Sequence, residues 1–146
     1  MGSKSDAFET SFLNHVFTNA AIANIGNSAG LPAAGAAGSL YIALCTSATA
    51  STDATAGTVT TYGGYARQAV ARTSGGWTVS GNQASNAAAI VFPTASSGTE
   101  TIRYCEVYTA LAGGDRLFWG QLTSDLAVST GIAPQFAIGA LTVTED

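Results

Sequence analysis

The hydrophobic pattern of this chain changes period once. Between residues 6 and 21, Phe8, Phe12, Leu13, Val16 and Phe17 recur at helical spacing, with Ser11, Asn14 and Thr18 on the opposite side. This predicts one N-terminal helix, capped by Asp6, with Glu9 three residues later as in a capping box. At about 100° per residue the five apolar side chains span an arc of roughly 180°, wider than the stripe of an ordinary surface helix. One sheet face covers only part of such an arc. Phe8, Phe12, Leu13, Val16 and Phe17 are therefore the candidate partner interface, against the simpler alternative of a helix packed wholly on its own sheet. Were the helix an attachment surface, a chain lacking residues 1 to 21 would still fold as a β domain.

Residues 22 to 38 carry Gly26, Gly30, Pro32, Gly35 and Gly38 and no period, so they read as a connector. The period then becomes two. Leu40, Ile42 and Leu44 alternate with Tyr41, Ala43 and Cys45, which predicts a strand. Thr46 to Gly57 is a Ser/Thr/Ala/Asp loop without an apolar anchor, exposed or ordered only by contact. Strands are then predicted over 65–73, over 77–80 after Gly75-Gly76, over 83–92 in two pieces, and over 101–109. The remaining strands are 116–122 after a hairpin loop, a short segment at 126–128, 132–138 and 141–144. No helix-length segment separates them, which excludes a parallel α/β sheet. The fold class is all-β: an antiparallel β-sandwich or jelly roll of about eight strands with an N-terminal α-helix. Residues 1–38 form the helix and glycine-rich connector and 39–146 the β-sandwich domain, together one structural unit.

Composition narrows the function. Of 146 residues, 47% are hydrophobic but only 10% are charged, against about 25% in a typical soluble domain. A surface so poor in charge suits a subunit that partners cover. Nine acids against five bases give a net charge of −4, which argues against nucleic acid as a partner. No signal peptide or membrane span is expected.

Candidate chemistry is sparse. Gly26-Asn27-Ser28-Ala29-Gly30 fits the nucleophile-elbow pattern G-x-S-x-G, but that mechanism needs a strand before the serine, a helix after it and a later histidine. Here a helix precedes, a loop follows, and His15, the sole histidine, lies upstream. His15 has no companion ligands, and Cys45 and Cys105 read as buried free thiols. Arg67, Arg72, Arg103 and Arg116 are expected to pair singly with carboxylates or carbonyls. No catalytic residue, cofactor, metal site or small-molecule ligand is expected.

The helix beginning Ser5-Asp6-Ala7-Phe8 is followed by Leu40-Tyr41-Ile42-Ala43-Leu44 and Gly64-Tyr65-Ala66-Arg67-Gln68-Ala69-Val70. Ile90-Val91-Phe92-Pro93, Gly114-Asp115-Arg116-Leu117-Phe118-Trp119-Gly120-Gln121-Leu122 and Ile132-Ala133-Pro134-Gln135-Phe136 come next. Across nearly its whole length this order resembles a family of small tailed-bacteriophage virion proteins, often labelled tail fibre proteins, with similarity also to capsid cement and decoration subunits. The resemblance implies a virion structural role, and a virion location after assembly in the host bacterial cytoplasm. The short, repeat-free chain favours a capsid-bound cement or decoration subunit, bound to the major capsid protein or other virion proteins and itself a homo-oligomer. A tail fibre or tail-tip component is the alternative.

Overall fold

The computed structural model describes residues 3–46 and 49–145. Among them are one helix, α1 (Asp6–Thr18), and nine strands: β1 (Ser39–Thr46), β2 (Gln68–Ala71), β3 (Trp77–Ser80), β4 (Gln83–Asn86), β5 (Ile90–Val91), β6 (Thr99–Tyr108), β7 (Arg116–Ser129), β8 (Gln135–Phe136) and β9 (Thr142–Thr144). The strands form sheets of order β2-β1-β6-β7, β3-β4-β9 and β5-β8. The β1–β6, β6–β7, β3–β4 and β4–β9 pairs run antiparallel. The fold is all-β with an N-terminal helix, in keeping with a sandwich of about eight strands. The chain divides into two compact units, the first made of residues up to Ser39, Val70–Ala89 and Phe136 onward, the second of Leu40–Ala69 and Ile90–Gln135.

In the first unit, α1 packs on β3 and β4. The helix starts one residue earlier in its capping than the sequence predicts. Ser5 is the N-cap, its hydroxyl accepting from the Phe8 N–H, and Asp6 is the first helical residue. Both Ser and Asp cap well, so composition alone does not separate adjacent candidates. The helix also ends earlier, because Asn19 takes the left-handed conformation (φ 57°) and clasps Ala34 through both side-chain atoms. Arg72 then holds the C-terminal turn, donating from Nε to the Val16 carbonyl and from Nη2 to that of His15, both at 2.6 Å. A cation there satisfies carbonyls the helix leaves unpaired and complements its dipole.

Leu13 and Phe17 are fully buried, and the Phe17 ring meets Trp77 edge-on at 4.6 Å. Buried Asn86 fixes the C-terminal segment. Its amide donates to the Ala88 and Ala137 carbonyls at 2.7 and 2.8 Å, and its Oδ1 accepts from the Leu141 N–H at 2.9 Å. Both the nitrogen and the oxygen of the buried Asn86 amide are thus satisfied.

In the second unit, β6 is the central strand, paired with β1 on one side and β7 on the other. Ile42, Leu44, Ile102, Val107 and Val128 are buried, and Tyr62, Tyr65 and Phe92 form a run of ring contacts at 5.3 and 6.3 Å. Three elements differ from expectation, one of them the strand predicted over 132–138, which is reduced to Gln135–Phe136. The strand predicted over 65–73 is confined to Gln68–Ala71, because Gly63 and Gly64 turn the chain and the Tyr65 hydroxyl accepts the Leu44 N–H. The segments predicted at 116–122 and 126–128 are one 14-residue strand. Its register slips between Tyr104↔Gln121 and Ile102↔Leu126, so a bulge absorbs the polar stretch that reads as a break.

Candidate functional site

The helix residues singled out by spacing separate by burial. Leu13 and Phe17 lie inside the first unit. Val16 and Phe12 are half-buried, and Phe8 is 39% exposed, its ring 6.5 Å from that of Phe12. The helix side left toward solvent is thus narrower than the apolar arc, because Glu9, Leu13 and Phe17, four residues apart, form the inward ridge.

A second group, on β6 and β7, was not visible as a unit in the sequence. Glu106 is completely buried. Its Oε1 accepts from the Ser51 hydroxyl at 2.8 Å, the Gly57 N–H at 2.7 Å and Arg116 Nη1 at 3.0 Å, and its Oε2 accepts from the Tyr108 hydroxyl at 2.7 Å. Arg116 in turn donates to the carbonyls of Thr52, Asp53 and Thr55. One ion pair therefore pins the loop ending at Gly57, the loop without an apolar anchor. Gly57 is needed for the approach, since a Cβ there would collide with Ser51 Oγ. Burial by itself would raise the Glu106 carboxyl, but the Gly57 N–H, the Tyr108 and Ser51 hydroxyls and Arg116 outweigh it and hold the group below its ordinary value. The same carboxylate, after burial, helps push the Tyr108 hydroxyl up to about 12.

The other arginines are committed singly, as their isolation suggests. Arg67 donates to the Ala110 and Gly113 carbonyls, both at 2.8 Å, and lies 3.6 Å over the Tyr108 ring. Arg103 pairs with Asp125 at 2.9 Å beside the bulge.

Ser28 sits in a loop closed by the Ile22–Leu31 bridge, with Asn27 Oδ1 accepting from the Ala29 and Gly30 N–H groups. Gly30 (φ 64°) lies against the Ile22 carbonyl, where a Cβ would collide. The glycine that completes the G-x-S-x-G pattern is thus required by this close approach. The His15 ring contacts the Ala20 carbonyl through Nδ1 at 2.7 Å. Among the described residues no group of three or more His, Cys, Asp and Glu is placed to hold a metal ion. No helix among them is long and apolar enough to cross a membrane.

Cys45 and Cys105 are buried free thiols on neighbouring strands. Leu44, not Cys45, stands opposite Cys105, so the two cysteines are one residue out of phase and point to opposite faces. Burial, then the Glu106 carboxylate, pushes the Cys45 thiol up to about 12, and burial raises Cys105 well above the ordinary thiol range. Both thiols are expected to resist iodoacetamide in the native protein at neutral pH and to react after denaturation without reductant. Fast native alkylation, or no alkylation after denaturation, would contradict this placement.

On β7, side chains alternate between half-buried and exposed from Arg116 to Leu122, and Leu117 and Trp119 are 41% and 44% exposed. β7 is an edge strand of its sheet. The second unit thus presents exposed apolar side chains on the last strand of its sheet, a feature of interaction surfaces.

A family model described as podophage GP4 fiber I protein gp80 matches residues 3–144. No curated protein matches the chain. The match spans every described element, from α1 to β9. The chain belongs to the podophage GP4 fiber I protein gp80 family and is a structural protein of the phage virion.

Proposed function

We propose that this chain is a fibre-associated subunit of the virion, working through protein–protein contacts and without catalysis. The observation that carries this reading is the family match over residues 3–144, whose description names a fiber protein. The use of the polar side chains supports it. Arg67, Arg72 and Arg116 bind the chain's own carbonyls, and Glu106 binds its own loop, so these groups maintain structure. The low charge suits a subunit covered by other virion proteins.

Immunogold labelling of intact virions with antibody against this chain tests the location. Gold at the tail is the expected result. Gold over the shell would replace the fibre reading by a capsid cement or decoration role. Absence of the chain from purified particles would overturn both.

A further inference from the structure

We infer that the corner between β7 and the loop ending at Gly57 binds a neutral carbohydrate, with the Trp119 ring as its floor and Tyr104 and Gln121 as its hydrogen-bonding groups. This concerns a ligand and does not depend on the location in the virion.

No motif in the sequence marks such a site; the strand register assembles it. Tyr104 stands opposite Gln121 and Glu106 opposite Trp119, and residues directly opposite share a face of the sheet. Tyr104 and Trp119 are therefore diagonal neighbours on the face that carries Glu106. Leu117 falls in the register slip between Phe118 and Arg116 and is not part of this row. Ser51 and Gly57 roof the Glu106 carboxylate, and Arg116 holds the carbonyls of Thr52, Asp53 and Thr55. The loop thus stands over Glu106 and stops beside Trp119, which stays 44% exposed. Strand surface and loop meet as floor and wall, and a loop fixed on a rigid scaffold is a common carrier of binding groups.

Elsewhere in this unit polar side chains are tied to the chain itself, as Arg67, Glu100 and Glu106 are. The side chains of Tyr104, Trp119 and Gln121 differ: none makes a hydrogen bond, ion pair or ring contact with another described residue. A pyranose ring presents C–H groups on one face and hydroxyls around its rim. It needs a flat apolar surface with uncharged donors and acceptors at the edge. The indole supplies the surface, and the phenol and amide supply the edge. On the wall, Thr52 and Thr55 are exposed and add hydroxyls. An anionic ligand fits poorly. Arg116 is committed to Glu106 and Arg103 to Asp125, while exposed Asp53 adds a negative charge to the wall. A protein partner fits less well, because the centre of a protein interface is apolar and this row sets one large ring among amide and hydroxyl groups.

The full chain is titrated with chitotetraose, maltotetraose and cellotetraose, and with a sulfated tetrasaccharide from heparin as the anionic control. The chain has two tryptophans and Trp77 is fully buried, so acrylamide quenching of tryptophan emission reports Trp119. At least one neutral sugar is expected to shield Trp119 at millimolar concentration, and the sulfated one is not. Calorimetry with that sugar is expected to show Trp119→Ala losing about tenfold or more in affinity, and Tyr104→Phe and Gln121→Ala losing less. Circular dichroism reports whether each variant is folded. If Trp119→Ala fails to fold, shielding in the wild-type chain and its weakening in Tyr104→Phe decide. No shielding by any of the neutral sugars, equal or stronger shielding by the sulfated one, or undiminished affinity in folded Trp119→Ala would each overturn the inference. So would a folded Trp119→Ala chain that no longer enters virions, which would make this face a protein interface.

Discussion

Glu106→Ala is expected to destabilise the protein by about 3–5 kcal/mol, the cost of removing one member of a buried ion pair. That is a large share of the roughly 5–15 kcal/mol available to a domain. The substitution removes the acceptor for the Ser51 hydroxyl, the Gly57 N–H and the Tyr108 hydroxyl at once, and it leaves the Arg116 guanidinium without its counter-charge. The loop up to Gly57 should become protease-sensitive, because it loses the Ser51 and Gly57 bonds to the carboxylate and keeps chiefly the carbonyls that Arg116 holds and the Thr58 N–H bond to Thr49. Glu106→Gln keeps the volume and one acceptor and is expected to cost less, about 1–3 kcal/mol. Urea titration measures both losses, and limited proteolysis reads the loop. A Glu106→Ala variant with wild-type midpoint and proteolysis would show that the ion pair does not hold this loop.

The same pair gives the protein an acid dependence of defined sign. Glu106 is held below its ordinary value in the fold, so it contributes stability above its unfolded value, about 4.3, and loses it as pH falls through the folded value. Glu100 acts in the same direction. Burial opposes its ionisation, but the hydroxyls of Thr60 and Thr61 and the N–H groups of Thr61 and Tyr62 overcome that effect. In Glu106→Gln the decline below about pH 4.3 should be shallower than in wild type, with the Glu100 part remaining.

Local signals carried the hairpin of β3 and β4 well. Gly75-Gly76 and Gly81-Asn82 bound Trp77–Ser80, and both turns lie within a few residues of what they connect. The helix was legible for the same reason, off by one residue at the cap, where Ser5 and Asp6 compete, and by three at its other end, where Asn19 stops it. What failed was non-local. The polar residues Thr123, Ser124 and Asp125 read as an interruption, because nothing in the sequence shows that the slip against β6 lets the strand continue through them. Glu106 alternates with Cys105 and Val107 as an outward polar residue would, yet it is buried because a loop some fifty residues earlier covers it. The residues to watch for were the arginines. In a chain with five basic side chains, Arg116 needed a specific partner, and Glu106 stands ten residues from it across the hairpin.

The helix face gives the second large effect. Phe17→Ala is expected to cost about 3–5 kcal/mol, as for a large buried aromatic, while Phe8→Ala should lie near the roughly ±0.5 kcal/mol of surface changes. Both belong to the same apolar arc in sequence, and the fold separates them. Phe17 has no exposure and lies edge-on against Trp77, whereas Phe8 is 39% exposed at the first turn. Truncation at 17 opens a cavity beside an indole that is itself fully buried, and β3, with four residues, is too short to close over it. The consequence extends to the helix as a whole. With Leu13 and Phe17 in the interior of the first unit and Arg72 fastened to the Val16 and His15 carbonyls, deletion of residues 1 to 21 should expose Trp77 and Ala84 and unfold that unit. It should not leave the intact β domain that a detachable helix would leave. Urea titrations of Phe17→Ala and Phe8→Ala, followed by tryptophan emission, decide the point. Equal and small losses for the two would mean that the helix is held from outside the chain and not by its own strands.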